Sequence, residues 1–134
     1  MLRFKKFVML SLAVSAMAAG AAQARAPGPA YPSCDLPAQR ALAAPTGGAI
    51  KDARQAHISM RGNILQADIG SARKARRITQ VQARRLFARV ETVRRDTDRF
   101  VRKQGFLSAA ERASYDRELD EVAGQICGLR RTGR

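Results

Sequence analysis

The stretch from residue 78 to residue 128, ITQVQARRLFARVETVRRDTDRFVRKQGFLSAAERASYDRELDEVAGQICG, decides the fold because it contains the start and stop signals of two consecutive helices. Each helix begins at a hydroxyl residue followed three positions later by Gln or Glu, which is the spacing of a capping box. Each ends at a glycine, which readily adopts the left-handed conformation of a helix stop. The two sets are Thr79, Gln82 and Gly105, and Ser108, Glu111 and Gly128.

Apolar residues recur between these signals at alternating spacings of three and four, the period of one helix face. The stripes are Ala83, Leu86, Val90, Val93, Thr97 and Phe100 in one helix, and Tyr115, Leu119, Val122 and Ile126 in the next. A less regular helix is predicted before them, over about 51–76, with an apolar face of Ile50, Ala53, His57, Met60, Ile64 and Ala67. The sequence therefore predicts an all-α protein, a three-helix antiparallel bundle or a long helical hairpin.

The first 26 residues have the three parts of a secretory signal peptide. A basic start at Arg3, Lys5 and Lys6 precedes an apolar run of 16 residues, 7–22, and then small residues suited to cleavage near Ala24 or Ala26. That run is shorter than the about 20 residues that span a bilayer. We therefore expect residues 1–26 to be removed, leaving no membrane span and a protein located in the periplasm or secreted.

Residues 27–49 form a proline-rich arm ahead of a helical domain at 50–134, because all five prolines lie in this segment. Proline fixes φ and lacks a backbone donor, so we expect an extended arm with at most one or two helical turns near 36–43.

The chain has two cysteines, Cys34 in the arm and Cys127 near the end of the last predicted helix. An even pair in an oxidising compartment predicts a disulfide. In an up-down-up bundle Cys127 lies at the opposite end from the start of the first helix. The bridge therefore requires the arm to run back along the bundle.

The chain without residues 1–26 carries 21 Lys and Arg against 11 Asp and Glu, a net charge of +10. Its densest cationic cluster lies at the corner between the first two long helices and comprises Arg73, Lys74, Arg76, Arg77, Arg84 and Arg85. Two interpretations are open: a patch that binds an anionic partner such as lipopolysaccharide, a cell-wall polymer or an acidic protein, or a solvated corner of an arginine-rich chain. Nucleic acid is not an expected partner, because aromatic residues do not interleave with the cations.

The sequence has no catalytic or cofactor motif, and we expect a non-enzymatic protein without a cofactor. Its single histidine, His57, lies on a predicted apolar face, which is typical of a packed side chain. The alternative is a metal site formed by His57 with Asp52 or Asp68. Three functions remain open: binding of acidic or unfolded envelope partners, metal binding or sensing, and a structural role without a ligand.

The segment from Ile69 to Ile126 resembles a group of small exported bacterial helical proteins. Their shared pattern is Leu-Thr-x-x-Glu-Ala-x-x-Leu, a long basic helix and Gly-x-Leu-Ser/Thr-x-x-Glu-Arg. The matching runs are Ile78-Thr79-Gln80-Val81-Gln82-Ala83 and Gly105-Phe106-Leu107-Ser108-Ala109-Ala110-Glu111-Arg112. The resemblance implies a helical fold and export, and no activity. Arg76 and Arg77 stand where that group has a glycine, and the cysteine pair is additional.

The doubled box also resembles, more weakly, the signature of the Spy/CpxP periplasmic chaperone family, a repeated Leu-Thr-x-x-Gln. That resemblance implies ATP-independent binding of unfolded envelope proteins on a basic helical surface. The two boxes lie 29 residues apart. Two explanations are open: an internal duplication, or two helices that are capped independently.

Overall fold

The structure is a computed structural model that describes residues 31–128, and its regular elements are helices. They are a 3₁₀ turn at Pro32–Cys34, α1 at Leu36–Arg40, α2 at Ala53–Lys74, α3 at Gln80–Gln104 and α4 at Ala109–Cys127. Within these residues, strand-type pairing is limited to an isolated bridge between Gly47 and Ile50. The expected all-α fold with three long helices is confirmed. The predicted signal peptide, residues 27–30 of the arm and residues 129–134 lie outside the described residues.

Both predicted capping boxes form. The Thr79 hydroxyl accepts a hydrogen bond from the Gln82 backbone (3.1 Å), and the Gln82 side chain accepts one from the Thr79 backbone (2.8 Å). Ser108 and Glu111 make the same reciprocal pair at 3.1 and 2.7 Å. The hydrogen bond from the Ser108 backbone is the main reason that the pKa of Glu111 lies below its ordinary value. The two helices end at left-handed glycines, Gly105 (φ 86°) and Gly128 (φ 65°).

The long helices form an up-down-up bundle. Gln55 near the start of α2 donates to Asp98 near the end of α3 (2.7 Å), whereas Gln66 donates to Glu91 (2.5 Å), so these helices are antiparallel. The two helices approach closely at Gly62, where an added Cβ would lie 3.3 Å from side-chain atoms of Val90 and Arg94 and would require them to shift slightly. The largest buried side chains of the core are Ile58, Leu65, Ile69, Val90, Leu107, Leu119 and Val122.

The inner face of α2 differs from the prediction. Ala53 and Ala67 are exposed, and Met60 and Ile64 are only half-buried. The buried positions carry the apolar residues Ala56, Ile58, Leu65, Ile69 and Ala72 and the polar residues Gln55, His57, Arg61 and Asp68. Polar side chains occupy several of the buried positions. A face predicted from apolar residues alone is therefore rotated around the helix relative to the face that is buried. The helix is also shorter than predicted and begins after Asp52, whose carboxylate accepts from the Gln55 backbone (2.8 Å).

The arm lies along the groove between α2 and α4 and runs antiparallel to both. Cys34 and Cys127 form the expected disulfide, with their Cα atoms 5.7 Å apart. Nearby, the Ser33 backbone donates to Asp68 of α2 (2.8 Å), and further along the arm the Leu42 carbonyl contacts His57 (2.8 Å). The arm therefore runs back along the bundle as the bridge requires. The helical turn expected near 36–43 is present as α1, whereas the 3₁₀ turn at Pro32–Cys34 was not predicted.

Candidate functional site

The predicted cationic cluster, here named the basic corner, consists of Arg73, Lys74, Arg76, Arg77, Arg84 and Arg85. The turn within it is a Schellman motif: the Arg77 backbone donates to the Ala72 carbonyl and the Arg76 backbone to the Arg73 carbonyl, both at 2.9 Å. Arg76 takes the left-handed position with φ of 57°, the one non-glycine residue with positive φ among residues 31–128. A side chain in this conformation costs about 1–2 kcal/mol relative to the right-handed one.

All six residues of the basic corner are exposed, and the structure brings four of them together. Arg73, Lys74, Arg76 and Arg77 line one open hollow of about 500 Å³ against the start of α3. The remaining two lie further along α3 and do not line this hollow. Arg85 instead lines a groove of about 440 Å³ between α3 and α4, beside Tyr115. Burial raises the pKa of that tyrosine.

The charge of the basic corner is not neutralised by the described part of the chain. No acidic residue occurs between Asp68 and Glu91, and none of the six forms an ion pair within residues 31–128. Arg77 instead lies over the ring of Tyr31, with the guanidinium carbon 5.6 Å from the ring centroid. In the described part of the chain, the arginines that do pair with carboxylates lie elsewhere and are Arg40, Arg61, Arg89, Arg94, Arg99 and Arg112.

A second polar cluster, which we name the buried charge network, joins the arm, α2 and α4 around His57. One ring nitrogen, Nδ1, lies 2.8 Å from the Leu42 carbonyl, and the other, Nε2, lies 2.8 Å from Asp116 Oδ1. Arg61 donates to the same Asp116 oxygen (2.6 Å) and to Asp120 (2.7 Å). The Leu42 carbonyl and the Asp116 carboxylate therefore hold the imidazole ring from both sides.

The arm completes the buried charge network. Arg40 of α1 pairs with Asp120, and this hydrogen bond is the main cause of the raised pKa of Arg40. Arg112 donates to the Arg40 carbonyl (2.8 Å) and lies 3.4 Å from Asp116. Burial by itself would raise the pKa of Asp116, but hydrogen bonds and charge from His57 and Arg61 outweigh it and lower that pKa. The network therefore fixes the arm to the bundle through charged groups.

The expectation that His57 is a packed side chain agrees with the structure, since the residue is 3% exposed. The metal ligands considered with it are used elsewhere: Asp52 caps α2, and Asp68 accepts from the Ser33 backbone. Among residues 31–128, no group of three or more His, Cys, Asp or Glu is arranged to hold a metal ion. The carboxylate that does meet His57 is Asp116, which belongs to α4.

Sequence reasoning misses the buried charge network because its members come from three separate segments. Arg40 and Asp120 are 80 positions apart, and His57 and Asp116 are 59 apart. The sequence does contain one signal of the network. Arg61 lies one turn after His57 and therefore on the same predicted face, and a charged residue on a buried face needs a partner.

No helix within residues 31–128 is both long enough and apolar enough to cross a bilayer. Comparison with protein-family models, with curated proteins and with solved structures finds no match to this chain.

Proposed function

We propose that this chain is an exported, non-enzymatic protein that binds acidic partners in the cell envelope through its basic corner. One observation carries the proposal: six exposed cations lie within 13 positions of the chain, and no carboxylate of the described residues pairs with them. Unpaired cations on one surface attract anions and speed encounter with them. The acidic groups that could have neutralised the corner are concentrated in α4, where they hold Arg40, Arg61 and Arg89.

The predicted signal peptide and the Cys34–Cys127 bridge support a periplasmic or secreted location, because such bridges persist in oxidising compartments. Acidic envelope proteins and phosphorylated lipopolysaccharide are partners of suitable charge. Capture of unfolded chains has less support. Among residues 31–128 the exposed large apolar side chains are Val81, Phe87 and Phe106, and they are scattered. The first two are about 120° apart around α3, and the third follows its C-terminal end.

The proposal is tested by the fluorescence anisotropy of a labelled hexaglutamate peptide titrated with protein purified from expression of the full chain, with the disulfide intact. Two variants lower the net charge equally: Arg73→Gln with Lys74→Gln in the basic corner, and Arg117→Glu on the exposed side of α4. We expect the corner variant to weaken binding about tenfold, since each exposed charge pair contributes about 0.2–1 kcal/mol. The Arg117 variant should stay close to wild type.

Binding should also weaken as ionic strength rises from about 0.02 M to 0.2 M, because exposed charges are screened over that range. The proposal fails if the wild-type protein does not bind at low salt. It fails equally if Arg117→Glu weakens binding as much as the corner variant, because net charge alone would then explain the affinity.

A further inference from the structure

The outer face of α3 continues the basic surface away from the corner. Six cations fall within an arc of about 100° around this helix, at 100° per residue, and we name them the basic ridge. All are exposed. They are Arg84, Arg85, Arg95, Arg99, Arg102 and Lys103. The first two also belong to the basic corner, and along α3 they lie within one turn of Gln82, which lines its hollow.

The acidic residues of α3 do not interrupt this arc. Glu91 and Asp98 accept hydrogen bonds from glutamines of α2, at 2.5 and 2.7 Å, and so lie on the side toward that helix. Asp96 pairs with Arg99 (2.8 Å) at the edge of the arc. One cation of the ridge, Arg99, is therefore in an ion pair, and the other five have no acidic partner within residues 31–128.

The ridge is long compared with a single anion. Arg85 and Lys103 are 18 residues apart in one helix, a rise of about 27 Å. Between Arg85 and Arg95 the arc carries the uncharged Ala88 and Thr92, so the cations form two groups about 15 Å apart. A compact anion can contact one group at a time, whereas an extended chain of anions can contact both.

We propose that the partner is a soluble linear polyanion bearing closely spaced phosphate groups, which lies along α3 from the basic corner to Lys103. This inference rests on the proposed function and specifies its ligand. Five of the six ridge residues are arginines, whose planar guanidinium groups match phosphate oxygens in pairs.

A flat anionic membrane is the competing occupant and fits the ridge less well. Helices that bind in the interface insert a face of large apolar side chains beside their cations. Of the large apolar residues exposed within residues 31–128, Val81 lies in the arc, Phe87 lies on another side of α3, and Phe106 follows the end of the helix. The ridge therefore offers charge without an apolar face to insert.

The test compares tripolyphosphate with a polyphosphate chain long enough to span the ridge, using titration calorimetry with the disulfide-bonded protein. The distal variant, Arg102→Gln with Lys103→Gln, lowers the net charge by two at the far end of the ridge. Arg117→Glu serves as the matched control on α4. Circular dichroism confirms that each variant folds, which is expected since all three side chains are exposed.

We expect the wild-type protein to bind the long chain at least about tenfold more tightly than tripolyphosphate, because linked contacts raise the effective concentration. Its affinity for the long chain should also fall more steeply with salt, because more counterions are released. The distal variant should lose at least about fivefold in affinity for the long chain and none for tripolyphosphate. The Arg117 control should keep both affinities.

Two results would overturn the inference while the proposed function stands. In one, the distal variant binds the long chain as tightly as wild type while the corner variant does not. In the other, anionic vesicles bind the protein and the soluble chain does not. If the wild-type protein binds hexaglutamate but not the long chain, the inference also fails and the proposed function stands. If it does not bind hexaglutamate at low salt, the proposed function fails, and the inference that rests on it fails too.

Discussion

Replacing Asp116 by Asn removes the central negative charge of the buried charge network with little change in volume. The carboxylate contacts His57 at 2.8 Å and Arg61 at 2.6 Å, and the Arg61 side chain is only 3% exposed. Opposite charges about 4 Å apart interact by about 4 kcal/mol at an effective dielectric constant of 20. Breaking a buried pair typically costs about 3–5 kcal/mol. Since Asp120 still accepts from Arg61, we expect a loss of about 3 kcal/mol in unfolding free energy at neutral pH.

Urea unfolding followed by circular dichroism measures this loss, and Glu118→Gln provides the control. Glu118 is also a carboxylate of α4 in an ion pair, but its side chain is 39% exposed and that of its partner Arg89 is 34% exposed. Exposed pairs contribute about 0–1 kcal/mol. If Asp116→Asn lowers the unfolding free energy no more than Glu118→Gln does, burial has no influence on the strength of the pair and the expected loss is wrong.

The same variant has a defined pH dependence. The pKa of Asp116 is lower in the folded protein than its ordinary value. Its stabilising contribution is therefore complete above the unfolded pKa of about 4 and is lost as the pH falls through the folded value. Wild type and Asp116→Asn should differ most near neutral pH and converge below about pH 4. A difference that stays constant on acidification would contradict the assignment.

Three further changes have expected outcomes in the same unfolding assay. Replacing Cys34 and Cys127 by Ser should lower the unfolding free energy by about 4 kcal/mol, because the bridge closes a loop with a sequence separation of 93, and wild type under reductant should match the variant. Arg76→Gly should raise it by about 0.5–1 kcal/mol, since glycine relieves the left-handed conformation at a smaller entropic cost, whereas Arg76→Lys should leave it unchanged. Thr79→Ala should lower it by about 1 kcal/mol through loss of the capping box, and an unchanged midpoint would show that the cap does not stabilise α3.

The helices α3 and α4 can be predicted from sequence to the residue because their signals are local. The hydroxyl residue that caps each helix start and the glycine that ends it act through backbone atoms within one turn. Between these ends, the apolar stripe of α3 agrees with burial from Ala83 to Thr97, and Phe100 at its edge is half-buried. A helix whose ends and buried face depend on residues close in sequence can be predicted without knowing how the rest of the chain folds.

The face of α2 could not be predicted in the same way. Its buried side contains Arg61 and Asp68, whose partners come from α4 and the arm. A charge is stable in the interior only when a partner meets it, so the pattern of α2 is determined by contacts distant in sequence. Gly62 is a second example. Glycine lowers the expected stability of a helix in a reading of the sequence, but in the structure this position is where α3 lies close to α2.

The basic corner can be located from sequence, and its internal arrangement cannot. The sequence shows all six cations, but it does not show that the chain turns through the left-handed Arg76 or that four of the cations share one hollow. Because α3 begins at Gln80, Arg84 and Arg85 lie further along that helix and outside the hollow.

The Cys34–Cys127 bridge makes residues 34–127 a closed covalent ring that contains all four α-helices. Tyr31 and Gly128 lie just outside this ring on either side, and the two bridged Cα atoms are 5.7 Å apart. A mechanical pull between residues 31 and 128 is therefore carried by the sulfur–sulfur bond and never reaches the helices. A single backbone cut inside the ring would likewise leave both pieces attached. Unfolding by a force applied at these two points would first require reduction of that one bond.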